Sequence, residues 1–292
     1  MAEITKQKIP KEVFEVESPL KGLTKKFMKK KTAVVSLVFI LLLLVIAVVR
    51  PTPYDISEVN YTNTLSPPSS ENWFGTDEYG RDVFSRMIHG TRLSLSVALA
   101  GVTIGGLIGT FLGIIAGYYR GFLEKVIMRA CDVMLSFPGL LLAIGIVAII
   151  GPGLINVVIA IAVYGIPNFT RIIRSSTLAI KELLYIEASR SIGVSDTRLL
   201  LKHILPGTIP AFIVSYTMRL GTAIISAASL SFLGFGASSR NPDWGAMLSS
   251  GRDYIGLAPH MLFYPGMAIF LTVLAFNMVG DGLRDTLDPK LD

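Results

Sequence analysis

Six apolar stretches, separated by polar segments, dominate the chain. An α-helix needs about 20 apolar residues to cross the hydrocarbon core of a bilayer, and a backbone inside lipid must satisfy its own hydrogen bonds. The pattern therefore predicts an all-α integral membrane protein with six transmembrane helices. They are expected at residues 33–49, 93–118, 127–150, 154–169, within 207–235 and at 261–279.

These stretches divide the chain into five segments. A polar N-terminal segment precedes the first transmembrane helix, and a polar segment separates that helix from a core with five more. The core contains one long polar loop at residues 181–206, and a short polar tail follows it. The predicted bounds are 1–31, 32–50, 51–90, 91–283 and 284–292.

The first apolar run, at residues 33–49, has to be compared with a cleaved signal peptide. It is longer than the usual apolar region of a signal peptide, and Arg50 and Pro51 follow it instead of a small-residue cleavage site. We therefore predict that this helix is not cleaved and crosses the membrane.

Basic residues set the predicted orientation. The stretch 21–32, just before the first apolar run, has six lysines and no acidic residue, and residues 170–206 carry more basic than acidic side chains. The positive-inside rule places both regions in the cytoplasm. Six crossings return the chain to its starting side, so the N- and C-termini are both expected in the cytoplasm.

The overall composition agrees with a membrane protein. The chain is 51% hydrophobic and 16% charged, whereas soluble domains carry about 25% charged residues. The net charge is +6, and the basic residues lie beside the apolar runs. This position indicates contact with membrane lipid and not with nucleic acid. The single cysteine excludes an internal disulfide, and no cluster of Cys or His predicts a metal site.

Glycines recur at every fourth position of the second span. A helix places them on one face, where a neighbouring backbone can approach closely, and membrane helices commonly pack in this way. We predict that this face is a tight helix–helix contact. The residues are Gly101, Gly105, Gly109, Gly113 and Gly117.

Several local signals modify the six spans. Val83 to Ile88 have the apolar spacing of a short interfacial helix, separate from the span that follows. Pro138 predicts a kink in the third span, and Pro167 an interruption of the fourth. Arg129 and Asp132, three residues apart, are expected to pair.

The segment 187–206 is polar and prone to form helices. Gly193 allows a tight turn in its middle, because glycine accepts a positive φ. Ser195 or Asp196 then caps a second short helix, which Pro206 is expected to stop. From this pattern alone, an ordinary loop between two spans is also possible.

The same segment resembles the "EAA" loop of ABC-importer permeases. Glu187, Ala188, Gly193, Leu205 and Pro206 stand in register with that motif. Ser189 replaces its second alanine, and His203 stands where isoleucine is usual. Three further parts of the chain, at residues 74–86, 229–248 and 274–289, resemble segments of dipeptide and oligopeptide permeases in the same order.

The resemblance implies the type I ABC-importer permease fold and a bacterial inner-membrane location. It implies that the loop docks on a separate ATPase subunit, through a charged contact at Glu187, close approach at Ala188 and Ser189, and a turn at Gly193. The helix that extends to Asp196 and Arg198 would follow the motion of the ATPase.

By resemblance, the partners are a homologous permease, two P-loop ATPases and an extracytoplasmic substrate-binding protein. The chain has no G-x-x-x-x-G-K-[ST] motif, so ATP and Mg²⁺ are expected on the partners, with no cofactor on this non-catalytic chain. The substrates implied first are di- or oligopeptides. Nickel, metal–metallophore complexes and glutathione are alternatives.

Other classes of membrane protein fit the sequence less well. A proton-coupled carrier usually keeps carboxylates inside its spans, and the central parts of these six have none. No repeated filter motif indicates a channel. Ser238 and His260 could suggest an intramembrane enzyme, but both are expected in an external loop without an obvious scaffold. Arg219 is the one charge deep in a span. It is expected to contact a substrate carboxylate in a water-filled cavity or to pair with another subunit.

Overall fold

The computed structural model describes residues 19–236 and 242–287, and these parts of the chain are built from helices. The predictions that concern residues 1–18, Ser238 and the tail 288–292 lie outside the described residues. The helices are α1 (Pro19–Met28), α2 (Lys31–Val49), α3 (Val83–Tyr119), α4 (Gly121–Leu135), α5 (Gly139–Ile150), α6 (Leu154–Lys181), α7 (Leu184–Ser191), α8 (Asp196–Leu199), α9 (Leu205–Phe232), α10 (Trp244–Gly251) and α11 (His260–Leu287).

Five of these helical segments are long and apolar enough to cross a membrane: α2, α3, α6, the continuous stretch Asp196–Phe232, and α11. A sixth span forms if α4 and α5 cross together. They are bent by 91° at their junction, much more than the kink that the sequence predicts. Pro138 adopts an extended ψ of 128° and has no N–H to continue the helix, so the chain leaves helical geometry there.

Helix α3 begins earlier than expected, so the prediction of a separate interfacial helix at residues 83–88 is wrong. The carboxylate of Asp82 caps α3 by accepting a hydrogen bond of 2.7 Å from the Ser85 backbone N–H. Val83 is buried against Met247 and Met261. Apolar packing of Val83 therefore lets the transmembrane helix begin at that residue. The predicted segment boundary at residue 90 falls inside α3.

Helix α6 continues through Pro167 to Lys181, so the predicted end of the fourth span near residue 169 is wrong. The helix is not interrupted at Pro167 because the residues around the proline are tightly packed. Transmembrane helices tolerate proline when neighbouring groups compensate for the lost hydrogen bond. Phe169 and Thr170, just after it, are fully buried.

Ion pairs stabilise the part of α6 beyond the expected end. Arg171 donates to Asp132 of α4 at 2.6 Å, and Arg174 donates to Glu124 of α4. The predicted pair of Asp132 with Arg129 is therefore wrong. The bend between α4 and α5 allows α4 to run beside α6, which supplies a partner from another helix.

The glycine face of α3 packs directly on α6, as predicted. A Cβ atom added at Gly105 would lie 2.6 Å from the carbonyl oxygen of Ala162, and one at Gly109 would lie 2.7 Å from that of Ile166. A Cβ atom added at Gly101 would lie 2.6 Å from the side chain of Ile161, and one at Gly117 would lie 2.7 Å from that of Thr177. The two backbones therefore approach each other along most of their shared length.

The two ends of the bundle differ, and each is named here after a short helix. At the α7 end, Lys30 beside α2 donates to Asp285 of α11 at 2.8 Å. The first and last described helices thus meet at the same end. At the α10 end, the segment 50–82 folds over the bundle. His260 lies 3.0 Å from the Thr76 carbonyl oxygen and is buried there, which gives it a structural contact.

Helix α10 is fixed at its own end of the bundle by Trp244 and Asp243. Trp244 is buried, and its indole N–H donates to the Met87 carbonyl oxygen of α3 at 3.2 Å. Asp243 caps α10 by accepting from the Ala246 N–H at 2.8 Å, and it also accepts from the Ser231 hydroxyl at 2.5 Å. These bonds join α3, α9 and α10.

An Asp243→Ala substitution is therefore expected to lower the stability of the protein by about 1 kcal/mol, the usual cost of a lost helix cap. Burial raises the pKa of Asp243, which shows that the carboxylate is costly to desolvate. Alanine removes that cost and so offsets part of the loss of stability. Thermal unfolding in detergent measures it, with the exposed Asp253→Ala as a matched control. Equal melting temperatures for the two variants would contradict the expectation.

Candidate functional site

The predicted coupling loop forms a helical hairpin of α7, a short turn and α8 at one end of the bundle. Ile186 of α7 and Leu199 of α8 are fully buried and anchor the hairpin. The exposed side chains of α7 and α8 lie on the opposite side. The hairpin thus has one face fixed to the bundle and one face available for contact.

Gly193 makes the turn of the hairpin, as the sequence predicts. Its φ is +84°, its N–H donates to the Arg190 carbonyl oxygen at 3.0 Å, and no atom lies within 4 Å of the position of a Cβ. Backbone conformation alone therefore requires glycine here. Ser195 precedes α8 at the N-cap position, but its side chain makes no capping hydrogen bond.

Pro206 does not stop the second helix, and that prediction is wrong. The helix continues from α8 into α9 through a π-helical turn at Leu200–Ile204, in which the Leu205 N–H donates to the Leu200 carbonyl oxygen. This wider turn shifts the hydrogen bonding just before the proline, which then occupies the first turn of α9, where its missing N–H costs little. The second helix of the hairpin and the candidate membrane span α9 are thus continuous.

The contact face of the hairpin combines apolar and charged residues. Leu184 and Ile192 are 83% and 82% exposed, and they lie outside the helices that are long and apolar enough to cross a membrane. Most of the predicted site residues are exposed with them, whereas Ser189 is half-buried and donates to the Tyr185 carbonyl oxygen at 2.7 Å. The exposed members of the predicted set are Glu187, Ala188, Gly193, Asp196 and Arg198.

Asp196 differs from the others because its carboxylate turns back toward the bundle. It accepts a hydrogen bond from the hydroxyl of Tyr118, at the end of α3. The same hydroxyl accepts from Arg190 at 3.2 Å, and this bond raises the pKa of the Arg190 guanidinium. Lys181 donates to the Tyr118 carbonyl oxygen at 2.6 Å.

Sequence reasoning missed Tyr118, Lys181 and Arg190 as parts of this site. The only available signal was the position of Tyr118 and Tyr119 at the end of an apolar span, where tyrosines often mark a membrane interface. That signal does not distinguish two adjacent tyrosines. Here Tyr118 is buried and Tyr119 is half exposed.

Arg219 lies in the middle of α9 and is half-buried. Tyr164 of α6 is close enough to interact with its charge. The Tyr164 hydroxyl donates to Ser226 at 2.9 Å, and Thr222 lies between Arg219 and Ser226 on α9. Among residues 19–236 and 242–287, no carboxylate forms an ion pair with Arg219.

Two family models match the chain. One, described as the binding-protein-dependent transport system inner membrane component, matches residues 109–292, and the other, the N-terminal TM domain of oligopeptide transport permease C, matches residues 18–68. The chain belongs to the family of inner membrane components of binding-protein-dependent transport systems. The class predicted from the sequence, an ABC-importer permease of the dipeptide and oligopeptide branch, is confirmed.

Curated relatives agree with this assignment. The chain is 49% identical over 279 residues to the glutathione transport system permease protein GsiD of Pectobacterium atrosepticum, covering 94% of this chain and 93% of the relative. It is 49% identical over 280 residues to the protein of the same name from Escherichia coli O6:K15:H31, covering 95% and 92% of the two chains.

A solved structure of the MetNI methionine ABC transporter, in an inward-facing conformation, shares the fold. The TM-score is 0.59 at 20% sequence identity, with 70% of this chain and 97% of the solved chain covered. At that identity the likeness concerns the fold alone. The predicted type I importer permease fold is thereby confirmed.

Proposed function

We propose that the ATPase of the importer docks on the hairpin formed by α7 and α8. The observation that carries this proposal is the two-sided character of the hairpin. Its inner face is anchored in the bundle, whereas its outer face exposes Leu184 and Ile192 almost completely. Exposed apolar side chains grouped with charged ones are typical of a surface that another protein covers.

Each residue of the predicted site then has a specific role. Glu187 makes a charged contact with the ATPase, and the small side chains of Ala188 and Ser189 allow close approach. Gly193 sets the angle of the hairpin. Arg198 contributes a positive charge beside the docking surface. Asp196 acts differently, because its bond to Tyr118 holds the hairpin in position.

The energy of transport comes from partner subunits. Two P-loop ATPases bind ATP and Mg²⁺, whereas this chain holds no cofactor and catalyses no reaction. A homologous permease completes the pathway through the membrane, and an extracytoplasmic binding protein delivers the substrate. The excess of basic residues around the hairpin and before α2 supports a cytoplasmic position for the hairpin and both termini.

Closure of the ATPase pair on ATP moves the docked hairpin as a rigid body. Since α8 continues into α9 through the π-helical turn, motion of the hairpin reaches a transmembrane helix without an intervening flexible loop. The bundle thereby alternates between inward and outward access, a rigid-body transition of a common type.

Glutathione is the substrate that we propose, because the relatives at 49% identity are named as glutathione permeases. Short peptides are the second candidate, since a model of the oligopeptide permease family matches residues 18–68. Both candidates are peptides with a free carboxylate, which a half-buried arginine in the pathway would recognise.

Purification of the tagged chain from its native membrane in mild detergent, with mass spectrometry of the proteins that accompany it, tests this function. A second permease and P-loop ATPases are expected. The purified complex in proteoliposomes should then take up glutathione only with ATP and the binding protein. A chain that supports uptake alone and without ATP would refute the proposal in favour of a secondary carrier.

We expect Arg219→Gln to reduce uptake of glutathione about tenfold. The reason is the loss of a charge-assisted hydrogen bond to a substrate carboxylate, worth about 1.5–3 kcal/mol. Arg219→Lys keeps the charge and is expected to retain most of the uptake, which separates substrate contact from damage to α9. The measurement is the initial rate of radiolabelled glutathione entry into proteoliposomes. Equal rates for the Gln variant and the unchanged protein would exclude this role.

A further inference from the structure

Four segments of the chain meet at the side chain of Tyr118: the ends of α3 and α6, α7 and α8. Its hydroxyl donates to Asp196 of α8 and accepts from Arg190 of α7 at 3.2 Å. Lys181, the last residue of α6, donates to its carbonyl oxygen at 2.6 Å. The side-chain hydrogen bonds that tie the hairpin to the rest of the described chain thus converge on this residue.

The aromatic ring adds to these contacts. The Lys181 ammonium lies 5.2 Å from the centre of the ring, and the Arg190 guanidinium carbon lies 5.6 Å from it. Cations at this distance from a ring face are attracted to it. Tyr118 is only 3% exposed, whereas Asp196 and Arg190 are exposed. Its side chain is therefore held in the bundle while its hydroxyl reaches the hairpin.

Helix α3 is suited to carry a displacement from this point. It runs without interruption from Val83 to Tyr119, and its glycine face fixes its position on α6. A helix of that length extends about 55 Å, more than the hydrocarbon thickness of a bilayer, roughly 30 Å. Its other end is bonded to Trp244 at the α10 end.

We propose that Tyr118 is the positioning residue through which the docking hairpin moves α3, so that one hydroxyl group links the ATPase surface to the opposite end of the bundle. The inference rests on the proposed docking function of the hairpin. It adds a second route of transmission, through α3, to the direct continuation of α8 into α9.

The test uses the complete complex in proteoliposomes and compares ATP hydrolysis with uptake of glutathione or of a dipeptide, whichever the unchanged complex transports. Tyr118→Phe keeps the ring and its cation contacts but removes both hydroxyl bonds. We expect ATP hydrolysis within about twofold of normal and substrate transported per ATP reduced about tenfold. Tyr119→Phe is the matched control, because Tyr119 is adjacent and half exposed, and it should leave the ratio unchanged.

Variants of Asp196 keep the proposal falsifiable if Tyr118→Phe assembles poorly. Asp196→Asn preserves an acceptor oxygen and should retain coupling, whereas Asp196→Ala should reproduce the loss. The double variant Tyr118→Phe/Asp196→Ala should be no worse than Tyr118→Phe alone, because Tyr118→Phe already removes the bond to Asp196.

Three results would overturn the inference. They are a normal ratio of transport to hydrolysis in Tyr118→Phe, a normal ratio in Asp196→Ala, or fully additive losses in the double variant. In each of these cases the proposed function survives if the unchanged complex performs ATP-driven uptake. An unchanged complex that shows no such uptake overturns the proposed function and this inference together.

Discussion

A Gly193→Pro variant is expected to insert into the membrane normally but to lose about 90% of ATP-driven uptake, while the ATPase subunits continue to hydrolyse ATP. Proline requires φ near −65°, whereas the backbone at residue 193 has φ +84°. Proline also removes the N–H that bonds to Arg190. The hairpin must therefore change its shape, although its buried anchors stay in place.

The chain contains a close control for this experiment. Gly234, after α9, has φ +88°, no atom within 4 Å of its Cβ position, and an N–H that donates to the carbonyl oxygen three residues earlier at 3.0 Å. Gly234→Pro therefore imposes the same backbone strain at the α10 end. It should lose similar stability but retain more transport per ATP than Gly193→Pro.

Charge reversal tests the same surface without altering the backbone. Glu187→Lys should also separate ATP hydrolysis from uptake, since a lysine would replace the carboxylate that we propose to contact the ATPase. ATP hydrolysis and uptake measured in the same vesicles give the two quantities, and immunoblots check that the variant reaches normal levels in the membrane. Normal uptake by both Glu187→Lys and Gly193→Pro would remove the hairpin from the transport mechanism.

A second large effect is expected at the contact between α3 and α6. Gly105→Ala should destabilise the protein by about 2–3 kcal/mol, the upper part of the range for an overpacked core. The added Cβ would lie 2.6 Å from the Ala162 carbonyl oxygen. Because that atom belongs to a backbone, the two helices have to separate to admit a single methyl group.

Gly165→Ala provides a control of opposite sign. Gly165 also lies inside a membrane helix, α6, but nothing is found within 4 Å of its Cβ position. Alanine there should leave stability unchanged or raise it by about 0.5–1 kcal/mol, because glycine is the poorer helix former. Thermal unfolding of the purified protein distinguishes the two variants. Equal melting temperatures would show that the glycine face does not determine packing.

The features that sequence predicts correctly are those determined by local periodicity. The apolar runs locate the spans, the four-residue glycine repeat identifies the packing face of α3, and the position of Gly193 identifies a turn. Each of these depends on residues close together in the chain, and on physical constraints that apply in any context.

Most of the incorrect predictions involve partners from distant parts of the chain, whereas the one at Pro206 failed because of a local π-helical turn. The start of α3 at Val83 depends on packing against Met247 and Met261. Asp132 pairs with Arg171 because the bend between α4 and α5 places α4 beside α6. Tyr118 was missed because its importance comes from contacts with residues 63 to 78 positions away.

The glycine face of α3 also affects the order in which the protein is made. The ribosome completes α3 at Tyr119, whereas its partner α6 is complete only at Lys181. At 5–20 residues per second, these roughly 60 residues take about 3–12 s to synthesise. During that time the glycine face of α3 is not yet covered by α6 and contacts lipid or the insertion machinery. The newly made chain is therefore most exposed to pairing with a wrong helix in the seconds before α6 arrives.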